Sequence, residues 1–158
     1  MRIGIDFDNT IINYHYVFHT LACEFSYISA DIPKDKEQVK QAIIAHYGND
    51  LHWQELQSIA YGEAIFQAEA FEGVLVALES LKKQGHELFI VSHKSVVSHY
   101  DPTVHLREYA LDWLTKKFIV NEALIHESSL FFLDNLEDKI STITSLELDI
   151  FIDDLDLV

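Results

Sequence analysis

The chain is poor in the residues that staple, break or export a polypeptide. A single cysteine among 158 residues excludes any disulfide within the chain, and two prolines and five glycines leave no repeats or low-complexity linkers. Cations are scarce as well: 11 Lys and Arg face 26 Asp and Glu, for a formal charge of −15. Protonating all nine histidines would leave the chain acidic. Binding to a phosphate backbone depends on clustered cations, so the balance predicts no nucleic-acid partner. The longest apolar runs, such as LFIV at 88–91, fall far short of the roughly 20 residues that cross a bilayer. The opening MRIGIDFDNT carries two acids and no apolar stretch of signal-peptide length. These absences predict a soluble, cytoplasmic chain with no membrane partner. Cys23 falls in a helical, mostly apolar pattern and reads as a small buried hydrophobe.

What is present is a core-forming sequence, 49% hydrophobic. Ile3 to Phe7 is a short apolar run ending in acids, the pattern of a strand buried on both faces. Residues 14–71 change character, carrying apolar residues at helical spacing with breaks at Ile32-Pro33 and Gly48-Asn49-Asp50, and read as a helical insertion. Its aromatics Tyr14, Tyr16, Phe18, Phe25 and Tyr27 are expected to pack a small core. After Gly73 an amphipathic helix precedes a strand at Glu87 to Val91, and Asp101-Pro102 can open another helix through about Lys117. SLFFLDN offers a third strand. Asn135 can cap a helix striped by Leu136, Ile140, Ile143 and Leu146, and Ile150 to Ile152 reads as a fourth buried strand. Strands alternating with helices predict an α/β fold, a three-layer, Rossmann-like parallel sheet built from 1–13 and 72–158, with 14–71 inserted as a helical cap.

Two of these strands end in acid pairs, Asp6 with Asp8 and Asp153 with Asp154, and a third ends in Ser92. Ligands of open parallel sheets bind at the carboxyl ends of the strands, so four carboxylates and a hydroxyl are expected on one rim. Carboxylates gathered so closely repel unless a cation joins them. Oxygen donors without His or Cys suit Mg²⁺, which in turn draws a phosphate group. Asp6 could then attack phosphorus, and Asp8 could act as general acid toward the leaving oxygen.

These residues also carry a resemblance. IDFDNTI resembles the first motif (DxDxT) of the haloacid dehalogenase superfamily of phosphohydrolases, FIVSHKS its second and FIDDL its acidic fourth. FEGVLVALESLKKQGHELFIVS is similar to the stretch leading into the second motif, and DKISTITSLELDIFIDDL makes Lys139 the candidate for the third-motif lysine, with Lys94 as leading substitute. The resemblance implies Asp6 as nucleophile of an aspartyl-phosphate, Asp8 as acid and base, and Thr10 orienting the loop beside the substrate. Ser92 and Lys139 would grip phosphoryl oxygens, and Asp6, the Asp8 carbonyl, Asp153 and Asp154 would hold Mg²⁺. From their places just after Ser92, Lys94 is expected to face the phosphate and His93 either to meet the substrate or to make ordinary local hydrogen bonds. An acid at position 8 is what the phosphatase branch carries. The implied activity is hydrolysis of a small-molecule phosphate monoester, with substrate choice in 14–71. Family cores continue past the fourth motif, whereas this chain stops at Val158, so an open sheet edge and self-association are expected. Two rivals follow from the same residues. One is an idle phosphate-binding or interaction module; the other, a receiver-type phosphoacceptor, is disfavoured because its phosphorylated Asp follows a middle strand.

Overall fold

The computed structural model describes residues 1–155. The chain divides into two compact units: Met1–Asn13 with Ala70–Val96 and Leu111–Val158, and Tyr14–Glu69 with Val97–Ala110. The stretch 97–110, expected in the core, sorts with the helical insertion. A two-stranded ribbon of β2 (Ile12–Asn13) and β3 (Glu69–Ala70) lies where the chain passes from one unit to the other. No helix among the described residues is long and apolar enough to cross a membrane.

The first unit is an α/β structure on a four-stranded parallel sheet. Its strands are β1 (Arg2–Ile5), β4 (Glu87–His93), β5 (Leu130–Leu133) and β6 (Ile150–Ile152), in the order β5-β4-β1-β6. The apolar runs become strands because both faces of the central pair are covered: Ile3, Ile5, Leu88, Ile90 and Val91 are all buried. Helices α4 (Val74–Lys83) and α6 (Leu136–Ser145) flank the sheet. From β1 the chain steps outward through β4 to β5, then returns to the other side of β1 as β6. The order reverses at β1, and the carboxyl ends of strands around such a reversal form the crevice where ligands bind. Gly4 permits close packing there, since a Cβ at that position would lie 2.7 Å from a ring carbon of Phe151.

Two expectations for this unit are corrected. β6 is not fully buried: among the described residues it forms the sheet edge beside β1, leaving Ile150 and Ile152 each 43% exposed. On α6, Leu136 and Ile140 face solvent and Lys139 takes the buried position. The helix is turned so that an ammonium, not the apolar stripe, points inward.

The second unit holds α1 (His15–Glu24), α2 (Lys36–Tyr47) and α3 (Leu51–Tyr61), which pack on one another. Asp35 caps α2 by accepting the Gln38 N–H at 2.9 Å, and Gly48 ends that helix with φ 73°, a left-handed turn that costs glycine little. Phe18 stacks on Trp53 at 4.6 Å between ring centroids, and Tyr14 meets Tyr61 edge to face at 4.9 Å. Tyr16 and Phe25, expected inside, are exposed. α5 (Leu106–Lys116) starts later than Asp101-Pro102 suggests, because the Asp101 carboxylate accepts the N–H and hydroxyl of Thr103 and closes a local turn instead.

Candidate active site

The first acid is held by the sheet itself. Asp6 follows β1 directly, and its N–H donates to the Ile152 carbonyl of β6 at 2.8 Å. The chain then folds back, with the Phe7 carbonyl accepting from Ile11 N–H at 3.0 Å and Ile12 N–H at 3.1 Å. Asn9 sits in this turn at φ 59°, a left-handed conformation Asn tolerates better than most residues. Phe7 is fully buried and meets Trp113 and Phe132 edge-on at 5.7 and 6.0 Å, which pins the turn between the two acids.

The remaining side chains come from the ends of β4 and β6 and from α6. Ser92 pairs in register with Phe132, and the Lys94 N–H continues the ladder to the Leu133 carbonyl at 2.9 Å. The Asn135 side chain caps α6 by accepting the Asp138 N–H at 2.8 Å, which sets Lys139 one turn into the helix. Lys139 Nζ donates to Asp6 Oδ1 at 2.8 Å and to Asp153 Oδ2 at 2.7 Å, so one ammonium joins the two ends of the sequence. Lys94 Nζ donates to both oxygens of Asp8, at 3.0 and 2.9 Å. Lys94 and Lys139 are 4% and 3% exposed.

Burial pushes the Asp6 carboxyl above its ordinary range and outweighs the pull of Lys139; Asp153 adds repulsion. Burial acts the same way on Asp153, but the Lys139 ammonium and the Leu155 N–H win, holding that carboxyl below its usual value. Burial alone would lower Lys139; its bonds to Asp153 and Asp6 raise it. The two carboxylates therefore differ although they share one cation, Asp6 being the more deeply desolvated.

Asp6, Asp153 and Asp154 each bring a carboxylate oxygen to within 4.8 Å of the others. Among the described residues no other group of three acid, His or Cys side chains comes this close. The donor set is all oxygen, which fits a hard divalent cation of the Mg²⁺ kind. Three buried polar atoms, Asn9 Oδ1 and Thr10 Oγ1 in the turn after Asp8 and Ser92 Oγ near the end of β4, have no hydrogen-bond partner. Unsatisfied buried groups are costly in native folds; the two hydroxyls can donate to a ligand oxygen or to ordered water, and the amide oxygen can accept from water.

The sequence-derived residues thus fall into distinct places. Asp6, Lys139, Asp153 and Asp154 form one cluster, and Asp8 with Lys94 forms a bonded pair. Ser92 lies beside Asp6 without a hydrogen bond. The Thr10 hydroxyl makes no loop-orienting bond, that work being done by the backbone bonds to Phe7. His93 is exposed, on the opposite side of the pleat from Ser92. Sequence reasoning missed Asn9, although an Asn between an acid and a Thr in a post-strand turn is a recognisable signal. It also set Lys94 and Lys139 as alternatives, whereas each has its own carboxylate.

No family model matches the chain, and no curated protein matches it. Among solved structures it is similar to the crystal structure of a Had-superfamily hydrolase from Ehrlichia chaffeensis, at 17% identity and a TM-score of 0.49. That match covers 98% of this chain and 78% of the other.

Proposed function

We propose that the protein is a Mg²⁺-dependent phosphatase of the haloacid dehalogenase type, hydrolysing a small-molecule phosphate monoester through an aspartyl-phosphate. The observation that carries this reading is the Lys139 ammonium lying 2.8 Å from Asp6 and 2.7 Å from Asp153, with Asp154 in the same carboxylate cluster at the carboxyl rim of the sheet. Asp6, Asp153, Asp154 and the backbone carbonyl of Asp8 would hold the metal, which would supply positive charge opposite the phosphoryl oxygens.

The chain's own groups then do the rest. A carboxylate oxygen of Asp6 attacks phosphorus, and the bond from phosphorus to the ester oxygen breaks. Asp8 gives its proton to the departing oxygen, then takes one from the water that attacks the acyl phosphate. That second attack frees the Asp6 carboxylate and inorganic phosphate. Ser92, Lys139 and Lys94 supply a hydroxyl and two ammonium groups for the phosphoryl oxygens. Lys94 grips both oxygens of Asp8, so Asp8 can pass on a proton only after that grip is exchanged, and a phosphoryl oxygen is a natural competitor for the ammonium. In chain order the Tyr14–Glu69 part of the helical unit falls between the first two strand-end acids and Ser92, and we assign substrate choice to it.

The test is phosphate release from a generic aryl phosphate with Mg²⁺, with chelator, and with Asp6→Asn. Release that needs both Mg²⁺ and Asp6 is expected. Equal rates in all three would end the reading.

A further inference from the structure

The two buried lysines of the candidate site share a feature that their carboxylate bonds do not explain. Lys94 Nζ lies over the Phe7 ring, 5.3 Å from its centroid, and Lys139 Nζ lies over the Phe151 ring at the same 5.3 Å. Each ammonium already donates to two carboxylate oxygens, Lys94 to the pair on Asp8 and Lys139 to one each on Asp6 and Asp153. The lysine side chains are only 2% and 3% exposed, so little water shares in holding their charge. The electron-rich face of a benzene ring adds attraction for that charge, and the attraction grows where water is excluded.

Ring and carboxylate hold a cation in different ways. A carboxylate acts through hydrogen bonds that weaken steeply when their angle changes. A ring face acts through a charge distribution spread over six carbons, so an ammonium on a flexible stem can move across it and stay attracted. The Phe7 ring is itself fixed: it is fully buried, with Trp113 and Phe132 meeting it edge-on at 5.7 and 6.0 Å. The ring therefore offers a fixed seat and the lysine a movable charge.

We infer that Phe7 is a positioning residue that acts through Lys94: its ring face keeps the ammonium in the site while the ammonium exchanges Asp8 for a phosphoryl oxygen. The exchange rests on the phosphatase reading; the seat is present without substrate. Phe151 gives Lys139 a seat of the same kind.

The experiment places a ring-trifluorinated phenylalanine at position 7, which weakens the negative face and keeps an aromatic ring there, in the parent chain and in Lys94→Met. Melting is followed in all four proteins, and phosphate release from an aryl phosphate with Mg²⁺ in the two that retain Lys94. Fluorination should lower melting by roughly 2–4 °C when Lys94 is present and leave it unchanged in Lys94→Met. It should also lower kcat roughly threefold. An equal fall in melting in both backgrounds would mean that the fluorines only crowd the core, and no fall in either would mean that the ring does not hold the cation; both results overturn the seat. Coupled melting with an unchanged kcat would overturn the exchange. A parent chain that releases no phosphate would overturn the exchange together with the phosphatase reading, whereas the melting comparison decides the seat by itself.

Discussion

The substitution Lys139→Met removes the one cation shared by Asp6 and Asp153 while keeping a long apolar stem over the Phe151 ring, which now lies 5.3 Å beneath the ammonium. The side chains of Asp6 and Asp153 are 7% and 6% exposed, so water cannot take the cation's place cheaply. Breaking a buried ion pair by deleting one partner costs about 3–5 kcal/mol. At about 2–4 °C per kcal/mol for a chain of this size, melting in chelator at pH 7 should fall by roughly 6–20 °C. Two further arms fix the cause. Asp6 already has a raised carboxyl, and without Lys139 it is raised further. A group whose folded value exceeds its unfolded one contributes stability at low pH and loses it as pH rises, so the variant should gain stability on acidification from pH 7 toward 5. In the parent protein Asp153 is held low by Lys139, and its contribution runs the other way: full above the ordinary carboxylate range and lost as pH falls below it. Asp6→Asn placed on Lys139→Met should therefore recover stability, whereas independent sites would simply add their losses. Mg²⁺ at a hundred times its dissociation constant should return about 2.7 kcal/mol to the variant. A variant melting within about 1 °C of the parent, or a double substitution as damaging as the sum, would refute the reasoning.

Other outcomes follow from single contacts. Gly4→Ala drives a Cβ against the Leu148 side chain and to 2.7 Å from Phe151, and should destabilise the sheet by about 1–3 kcal/mol in urea unfolding; an unchanged midpoint would mean that Leu148 and Phe151 give way freely. In the proposed chemistry Asp8→Asn should slow phosphate release by about 10²–10⁴, and Lys94→Met should reproduce part of that loss; two variants at full rate would remove Asp8 from the reaction. Burial, together with its hydrogen bond to Glu55, pushes the Tyr27 phenol up to about 12, so the stability held by its proton is full below pH 10 and is lost as pH rises toward 12. Ultraviolet titration should show a late phenol ionisation that is lost in Tyr27→Phe, and Glu55→Gln should bring it down.

Much of the first unit was legible because its strands are short apolar runs that end in acids, a pattern set by local chemistry. The helix caps at Asp35 and Asn135 are equally local signals. The failures share a cause. Edge or centre is a property of the whole sheet, so nothing in IFI reveals that Ile150 and Ile152 lack a neighbour on one side. Likewise, the Leu136 and Ile140 spacing on α6 looks like a core stripe. It is overridden because Lys139, one residue before Ile140, gains two charge-assisted bonds by facing inward. The grouping of 97–110 with the helices depends on contacts between segments far apart in sequence. A turn closed by Asp101 on Thr103 is visible in hindsight, as is Asn9 between Asp8 and Thr10. The pairing of two lysines with two different acids is not, since spacing along the chain says nothing about which ammonium reaches which carboxylate.

In the proposed function the two buried lysines reconcile an acidic chain with an anionic substrate. Net charge of −15 repels a phosphate ester at a distance, but at physiological salt that repulsion is screened beyond about 8 Å. Inside the site the balance is local: Lys94 and Lys139 stand beside Asp6, Asp8 and Asp153, in surroundings where each charge counts for more than it would on the surface. Well-packed apolar residues in place of a buried ion network are often neutral or stabilising, so stability alone gives little reason for this one. Orphaned oxygens at Asn9, Thr10 and Ser92 make the same point from the other direction, because a fold selected only for stability would have paired or deleted them. In the proposed chemistry both costs would be offset together: Asp6 and Asp153 would hold a divalent cation that supplies positive charge in place of part of the ammonium's, and the ammonium groups and hydroxyls could donate to phosphoryl oxygens.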